Sequence, residues 1–134
     1  MRNDETGFTL IELLVVMVVV GILAAIAVPA FVLQKRNAAE TSAKSDAKNI
    51  GQEVVGYYID GRGTLSLRPG ADPLTWELTS AKGSVASGRL TKGNAVGTRG
   101  VVTSDDSYCV SVSPSEPGAS AWQASNNGLA QGSC

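Results

Sequence analysis

Residues 8–33 read FTLIELLVVMVVVGILAAIAVPAFVL, 26 positions with a single charged side chain, Glu12. A helix rises about 1.5 Å per residue, so this run would measure roughly 39 Å, enough to cross a hydrocarbon core of about 30 Å. It is apolar on every side, and the roughly 100 residues that follow are too few to wrap such a rod completely. A buried core helix is therefore excluded. A membrane anchor and a cleaved secretory signal remain. Ala25, Ala27 and Ala30 offer small-residue cleavage sites of the kind a signal needs. Against the signal, the leading MRNDETG carries one basic residue and two acidic ones, and a glutamate near the start of the apolar run serves no purpose there.

Glu12 weighs most. A carboxylate within a membrane span costs about 2.5–3.5 kcal/mol on insertion scales, and such a residue usually has a function and a partner. Cleavage after Gly7 would free an α-ammonium on Phe8, four residues upstream of Glu12. One helical turn separates the two groups, so the carboxylate can meet that ammonium or the one on a neighbouring copy. The alternative is a carboxylate that merely snorkels to the headgroups.

Gly7-Phe8-Thr9-Leu10-Ile11-Glu12-Leu13 resembles the processing signature of the type IV pilin and pseudopilin family. The resemblance implies that a membrane-embedded aspartyl prepilin peptidase cuts between Gly7 and Phe8 and then N-methylates Phe8. It implies that Glu12 neutralises the ammonium of an adjacent subunit and sets its register. It places Gly21 and Pro29 where family members have a helix-weakening glycine and proline. Gly21 lowers helix propensity by about 1 kcal/mol, and Pro29 cannot donate to the carbonyl of Ala25. The segment between them is expected either to unwind locally in a filament or to kink. The implied partners are further copies in a helical filament, the prepilin peptidase, an assembly ATPase and an inner-membrane platform. Family leaders usually carry several Lys or Arg, whereas this one sets Arg2 against Asp4 and Glu5. With Lys35-Arg36 beyond the span, counting basic residues gives no orientation. An N-inside topology follows from the resemblance alone.

After Leu33 the chain turns polar. Ala39, Ala43, Ala47, Ile50, Val54 and Tyr57 or Tyr58 recur at three- and four-residue intervals, one face of a helix. Lys44, Asp46, Lys48 and Glu53 are assigned to the other face, with Glu40 and Lys44 as an i,i+4 pair. Asp60-Gly61 reads as a stop. Glycines at 61, 63, 70, 83, 88, 93, 97 and 100 then mark turns around short strands: Leu74–Thr79, Ser84–Leu90, Arg99–Thr103, Ser107–Ser113 and Ala119–Ala124. Lys92-Gly93-Asn94 and Ser104-Asp105-Asp106 read as connections. The expected fold is α+β, a long N-terminal helix packed on a small antiparallel sheet. Its parts are a leader over 1–7, an apolar helix over 8–33 and a head over 34–134. The head comprises an amphipathic helix over 34–59, loop and sheet over 60–113, and a C-terminal loop over 109–134.

The cysteines are Cys109 and Cys134, and there is no histidine. Structural zinc wants four nitrogen or sulfur ligands, so no metal site is expected from them. In an exported domain the pair reads as one disulfide, against two free thiols. Closing about 26 residues would contribute about 3 kcal/mol in the chain-entropy model. In a strand over 107–113, Tyr108, Val110 and Val112 point one way and Cys109, Ser111 and Ser113 the other. The family's disulfide-bounded C-terminal loop is similar to the stretch from Cys109 to Cys134, with Trp122 packed beneath it.

No catalytic constellation, phosphate loop or metal-ligand cluster is present in the sequence, so neither an enzyme nor a cofactor is expected. Asp105-Asp106 lacks an EF-hand spacing and reads as a polar turn, although some related pseudopilins hold calcium in an acidic loop. Of 11 basic and 12 acidic residues, removing Arg2, Asp4 and Glu5 leaves ten of each, which gives a mature chain no charge excess to repel its neighbours. Arg62, Arg68, Lys82, Arg89, Lys92 and Arg99 are scattered, so nucleic acid is at most a ligand of an assembled filament surface. The expected role is a major pilin, membrane-anchored in one pass before assembly and extracellular afterwards, serving adhesion, twitching motility or DNA uptake. A pseudopilin of a type II secretion or competence apparatus is the alternative, and the cysteine pair, usually absent from major secretion pseudopilins, tilts towards the pilus. A secreted or anchored domain that never polymerises is the reading from another class.

Overall fold

The computed structural model describes residues 7–97, 101–102 (backbone only) and 107–134. Residues 1–6 of the leader, the ends of the Arg99–Thr103 candidate strand and the Ser104-Asp105-Asp106 connection lie outside the described residues. The fold is α+β. Helix α1 runs from Leu10 to Asp60, 51 residues with Pro29 inside it. The chain divides into two compact units, Met1–Gln34 and Lys35–Cys134, and α1 contributes to both.

In the second unit α1 buries Ala43, Asp46, Ala47, Ile50, Gly51 and Val54. The spacing of three and four confirms the expected face but adds an aspartate and a glycine to it. Both have local reasons. Gly51 lies so close to strand β7 that a Cβ there would sit 2.9 Å from the Ala124 methyl. Asp46 is 7% exposed and faces the sheet side, contrary to its expected place on the polar remainder. Its Oδ2 accepts from the Thr91 N–H (2.8 Å) and from Asn94 Nδ2 (2.7 Å), and its Oδ1 from Thr91 Oγ1 (3.2 Å). The carboxylate thus tethers the chain between β3 and β4 to the helix.

The helix ends at Asp60 because two tyrosines close over it. Tyr57 Oη donates to the Arg62 carbonyl (3.1 Å) and Tyr58 Oη to that of Gly63 (2.7 Å). Their rings meet edge to face with centroids 5.2 Å apart. Gly61 N–H donates to Tyr57 O (2.7 Å), and any Cβ at 61 would strike the Tyr57 carbonyl and ring.

Two four-stranded antiparallel sheets follow. The first has the order β3 (Gly83–Arg89), β2 (Thr75–Ser80), β1 (Leu65–Pro69), β5 (Val101–Val102). The second has β4 (Asn94–Val96), β6 (Cys109–Pro114), β7 (Trp122–Ser125), β8 (Gly128–Gln131). Ile50, Val54, Leu65, Leu78, Val110 and Val112 are fully buried and form the centre of the core. Each contributes about 1.5–3 kcal/mol by leaving water.

Four of the expected strands appear with shifted ends, the candidate at 99–103 is described only as β5, and three further strands were not expected. β1 was hidden by Arg68 and Pro69, β4 by the turn-like Lys92-Gly93-Asn94, and β8 by Asn126-Asn127-Gly128. The last is a hairpin turn. Gly128 takes φ +101, and Ser125 Oγ accepts from Asn127 N–H (3.3 Å). The β2–β3 turn repeats the design, with Gly83 at φ +122 and Ser80 Oγ accepting from Lys82 N–H (3.2 Å). A left-handed glycine after two turn residues is a common way to close a hairpin. The stretch from Cys109 to Cys134 is therefore mostly sheet, not the wrapping loop expected, although Cys109 and Cys134 are joined by a disulfide.

The connection between β6 and β7 docks on the start of the polar helix. Lys35 Nζ lies 3.5 Å from Glu116, the one ion pair among the described residues. Glu40 Oε1 accepts from the Ser120 N–H (2.9 Å), and the Arg36 guanidinium lies against Gly118 (φ +78). Glu40 therefore does not pair with Lys44. Lys44 Nζ sits 4.6 Å from the centre of the Trp122 ring, a cation–π contact, and Trp122 Nε1 is buried without a hydrogen-bond partner among the described residues.

Candidate functional site

In the first unit three described residues precede the helix. Gly7, Phe8 and Thr9 are not helical, and α1 begins at Leu10. Thr9 is the N-cap. Its Oγ1 receives the Glu12 N–H at 3.4 Å, and Glu12 reaches back so that Oε2 accepts from the Thr9 N–H (2.9 Å) and from Thr9 Oγ1 (2.8 Å). Thr-x-x-Glu in this geometry is a capping box, which satisfies backbone donors that the first turn leaves orphaned. Both bonds to the carboxylate land on Oε2, and Oε1 has no partner among the described residues. The charge also sits at the positive end of the helix dipole.

Gly7 has nothing within 4 Å of where a Cβ would stand, and its φ lies outside the left-handed region. This chain's own fold therefore does not require glycine at position 7. A requirement for one would have to come from whatever binds the peptide. Gly21 has equally open surroundings, and α1 is helical through both Gly21 and Pro29. Local unwinding between them is not a feature of the single chain.

Every residue from 8 to 33 is exposed, with Phe8 at 82%, Ile26 at 72% and Val19 still at 48%. The segment is long and apolar enough to cross a membrane, and none of it is buried within the chain. Twenty-five apolar or small side chains around one carboxylate have to be covered by lipid or by other protein.

Residues 2–28 match the family model described as the prokaryotic N-terminal methylation motif. The chain is similar to type II secretion system core protein G of Pseudomonas aeruginosa, 40% identical over 73 residues that make up 54% of this chain and 51% of that protein. The proteins of the same name from Aeromonas hydrophila and Dickeya chrysanthemi are 34% identical over 80 residues and 32% over 82. The N-terminal part of the chain is thus similar to that of type IV pilins and pseudopilins. It spans about half the length of the curated relatives it matches. No solved structure matches it significantly.

Within this pilin-type chain, the expected site residues fall into separate places. Gly7, Phe8 and Glu12 come together with Thr9 in one turn at the helix start. Gly21 and Pro29 lie further along the apolar segment, and Cys109–Cys134 belongs to the head. Thr9 and Asp46 were overlooked as functional and structural anchors. The Thr-x-x-Glu spacing before an apolar run is the signal that reveals the first. Asp46 carried a weaker one, its position three residues after Ala43 on the buried face. Among the described residues no three His, Cys, Asp or Glu gather as a metal site, and Asp105-Asp106 lies outside them.

Proposed function

We propose that the chain is a pseudopilin-type subunit of a type II secretion apparatus, polymerised through its apolar helix into a filament within the cell envelope. The precursor sits in the membrane in one pass. A prepilin peptidase hydrolyses the Gly7–Phe8 bond and methylates the new Phe8 amine. Glu12 then carries the only charge inside the apolar segment besides that amine, and the two neutralise each other between adjacent copies. An assembly ATPase and membrane platform supply the work of moving subunits from lipid into the filament. Lipid tails are as apolar as the helix, so burial alone gives little net drive, and close packing plus the Glu12–Phe8 pairing has to direct assembly.

The observation that favours secretion over a surface pilus is the shared identity with three relatives all named type II secretion system core protein G. The cysteine pair pointed towards the pilus, but a disulfide closing part of the head is a stability device compatible with either filament. Deleting the gene tests the choice. Accumulation of exoproteins inside the envelope, with surface piliation intact, is the expected outcome. Loss of surface pili or twitching with normal secretion would reject the secretion reading and restore the major pilin. A mature protein beginning at methylated Phe8 separates both from a non-polymerising domain, which would begin elsewhere.

A further inference from the structure

We propose that the groove between strand β8 and helix α1 is a docking site for an extended segment of another protein. That segment adds to the free edge of β8, places an apolar side chain in the groove and brings a carboxylate to Lys48.

Backbone groups at the edge of a sheet are satisfied only by water or by another strand, so folded proteins guard exposed edges with charge, proline or irregular pairing. Two of the other edges are guarded in this way. β3 runs from just after Lys82 to Arg89 and shifts register against β2 between Leu78 and Thr79. β4 follows Lys92 and is held to α1 through Asn94 and Asp46. β8 has no such guard. It is the last strand of its sheet, all four of its residues are exposed, and residues 126–134 contain neither a charged side chain nor a proline. The Gly132 N–H donates to the Ala121 carbonyl (2.8 Å), which fixes the phase of the ladder with β7. Alternate residues pair inward, so Leu129 and Gln131 turn their N–H and C=O groups away from β7.

The face beneath this edge suits a side chain. Leu129 stands opposite Ala124, whose methyl packs close to Gly51, so β8 overhangs the flank of α1. Between the two lies a groove of about 390 Å³, lined by Lys48, Gln52, Val55, Tyr108, Ala124 and Leu129 among others. Val55 is left 48% exposed and Leu129 37%. A strand laid along β8 would send every second side chain towards this groove. Main-chain pairing then supplies affinity, and the groove selects the side chain.

Charge separates the occupants. Lys48 is exposed at the rim, and the one ion pair among the described residues is Lys35–Glu116. A second copy would meet this rim badly. Pairing β8 with another β8 brings two Lys48 side chains to one seam, and pairing it with β3 brings Lys82 and Arg89. Like charges facing each other across strands are destabilising. The fitting occupant is a different chain, apolar at one position and acidic an even number of residues away, so that both side chains share one face of the added strand.

The probe is an array of short synthetic peptides, each with one leucine and one glutamate at varied spacing in a serine and threonine background. Binding of the full-length protein in detergent is read on the array, then by fluorescence anisotropy for the best peptide. Even spacings are expected to bind and odd ones to fail. Gln131→Pro removes an outward N–H at an edge position that tolerates proline, and should weaken binding about fivefold. Lys48→Glu should weaken it by a similar factor at low salt, and Lys48→Arg should leave it unchanged. Equal binding at even and odd spacings would overturn the proposal, as would unchanged affinity in either weakening variant or no binding up to about 1 mM peptide. Should Gln131→Pro not fold, Lys48→Glu and the spacing pattern still decide. Light scattering tests the other occupant: self-association that Gln131→Pro abolishes would assign the edge to a second copy and overturn the choice of partner.

Discussion

Asp46→Ala is expected to weaken the head more than any exposed substitution on the same helix. The carboxylate accepts two short hydrogen bonds, from Thr91 N–H at 2.8 Å and Asn94 Nδ2 at 2.7 Å, and a longer one from Thr91 Oγ1 at 3.2 Å. Hydrogen bonds to a charged group contribute about 1.5–3 kcal/mol, and a buried donor left unmatched adds a desolvation cost. Thr91 is exposed and its groups re-solvate when the acceptor goes. Asn94 is 5% exposed, and among the described residues its Nδ2 keeps Ser42 Oγ at 3.1 Å. Two effects work the other way. Alanine gains up to about 0.7 kcal/mol in helix propensity, and the protein no longer dehydrates a carboxylate. The net expected loss is about 2 kcal/mol. For a unit of this size that lowers the melting temperature by roughly 8–16 °C.

The assay is urea or thermal unfolding of residues 35–134 with the disulfide intact, followed by tryptophan fluorescence. Trp76 is 5% exposed and will report loss of the core. Glu53→Ala, an exposed site on the same helix, is the control and should change stability by less than about 0.5 kcal/mol. A loss at Asp46 no larger than that at Glu53 would refute the idea that the carboxylate tethers the Thr91–Asn94 segment.

Three further outcomes are expected of the same unit. Gly51→Ala should lower stability by about 1 kcal/mol, because overpacking against the Ala124 methyl at 2.9 Å outweighs the gain in helix propensity. Gly56→Ala, with open space around it, should raise stability by about as much; equal signs in chemical denaturation would count against the close approach of α1 and β7. Opening Cys109–Cys134, separated by 25 residues, should cost about 3 kcal/mol, and amide exchange should rise most in the exposed edge strand Gly128–Gln131. Burial raises the Tyr108 phenol above its ordinary 10.0, so the unfolded chain loses that proton first. Stability should then fall as pH rises beyond 10, and Tyr108→Phe should flatten that fall in unfolding measured at pH 9 and 11.

The helix was legible because its signals are local and repeated. Alanine and β-branched residues at three- and four-residue spacing defined the buried face, and Asp60-Gly61 marked its end. The sheets were less legible, since strand order depends on partners far along the chain. Asn94 looked like a turn residue and became the first residue of β4 because Asp46, 48 positions away, needs its amide. Ser111 alternates with Val110 and Val112 as its position dictates, yet it is also buried, because Gly97 lies against its Oγ. No periodicity in a single strand could announce a cover supplied by another segment. At the helix start the reverse holds. The Thr9–Glu12 spacing is fully local, and it suffices to mark Glu12 as half of a capping box.

The two units meet the problem of α1 in opposite ways, and the difference explains how one helix can change its surroundings without unfolding. From Lys35 onward α1 holds the rest of the head with side chains of both charges. Lys35 pairs with Glu116, Arg36 covers Gly118, Glu40 holds the Ser120 amide and Asp46 holds Thr91 and Asn94. The grip begins at the first residue of the polar unit. Residues 8–33 are exposed throughout, and among the described residues their polar side-chain contacts lie within the Thr9–Glu12 turn. Lipid and the helices of other copies offer the apolar segment nearly the same solvent, so exchanging one for the other leaves the head's hydrogen bonds intact. On the proposed function, the group sensitive to the exchange is the Glu12 carboxylate, whose Oε1 has no partner among the described residues and would gain one beside a second Phe8 ammonium. On that reading, specificity of assembly would be concentrated at the single charged residue of the segment, while the apolar side chains around it supply contact without choosing a register.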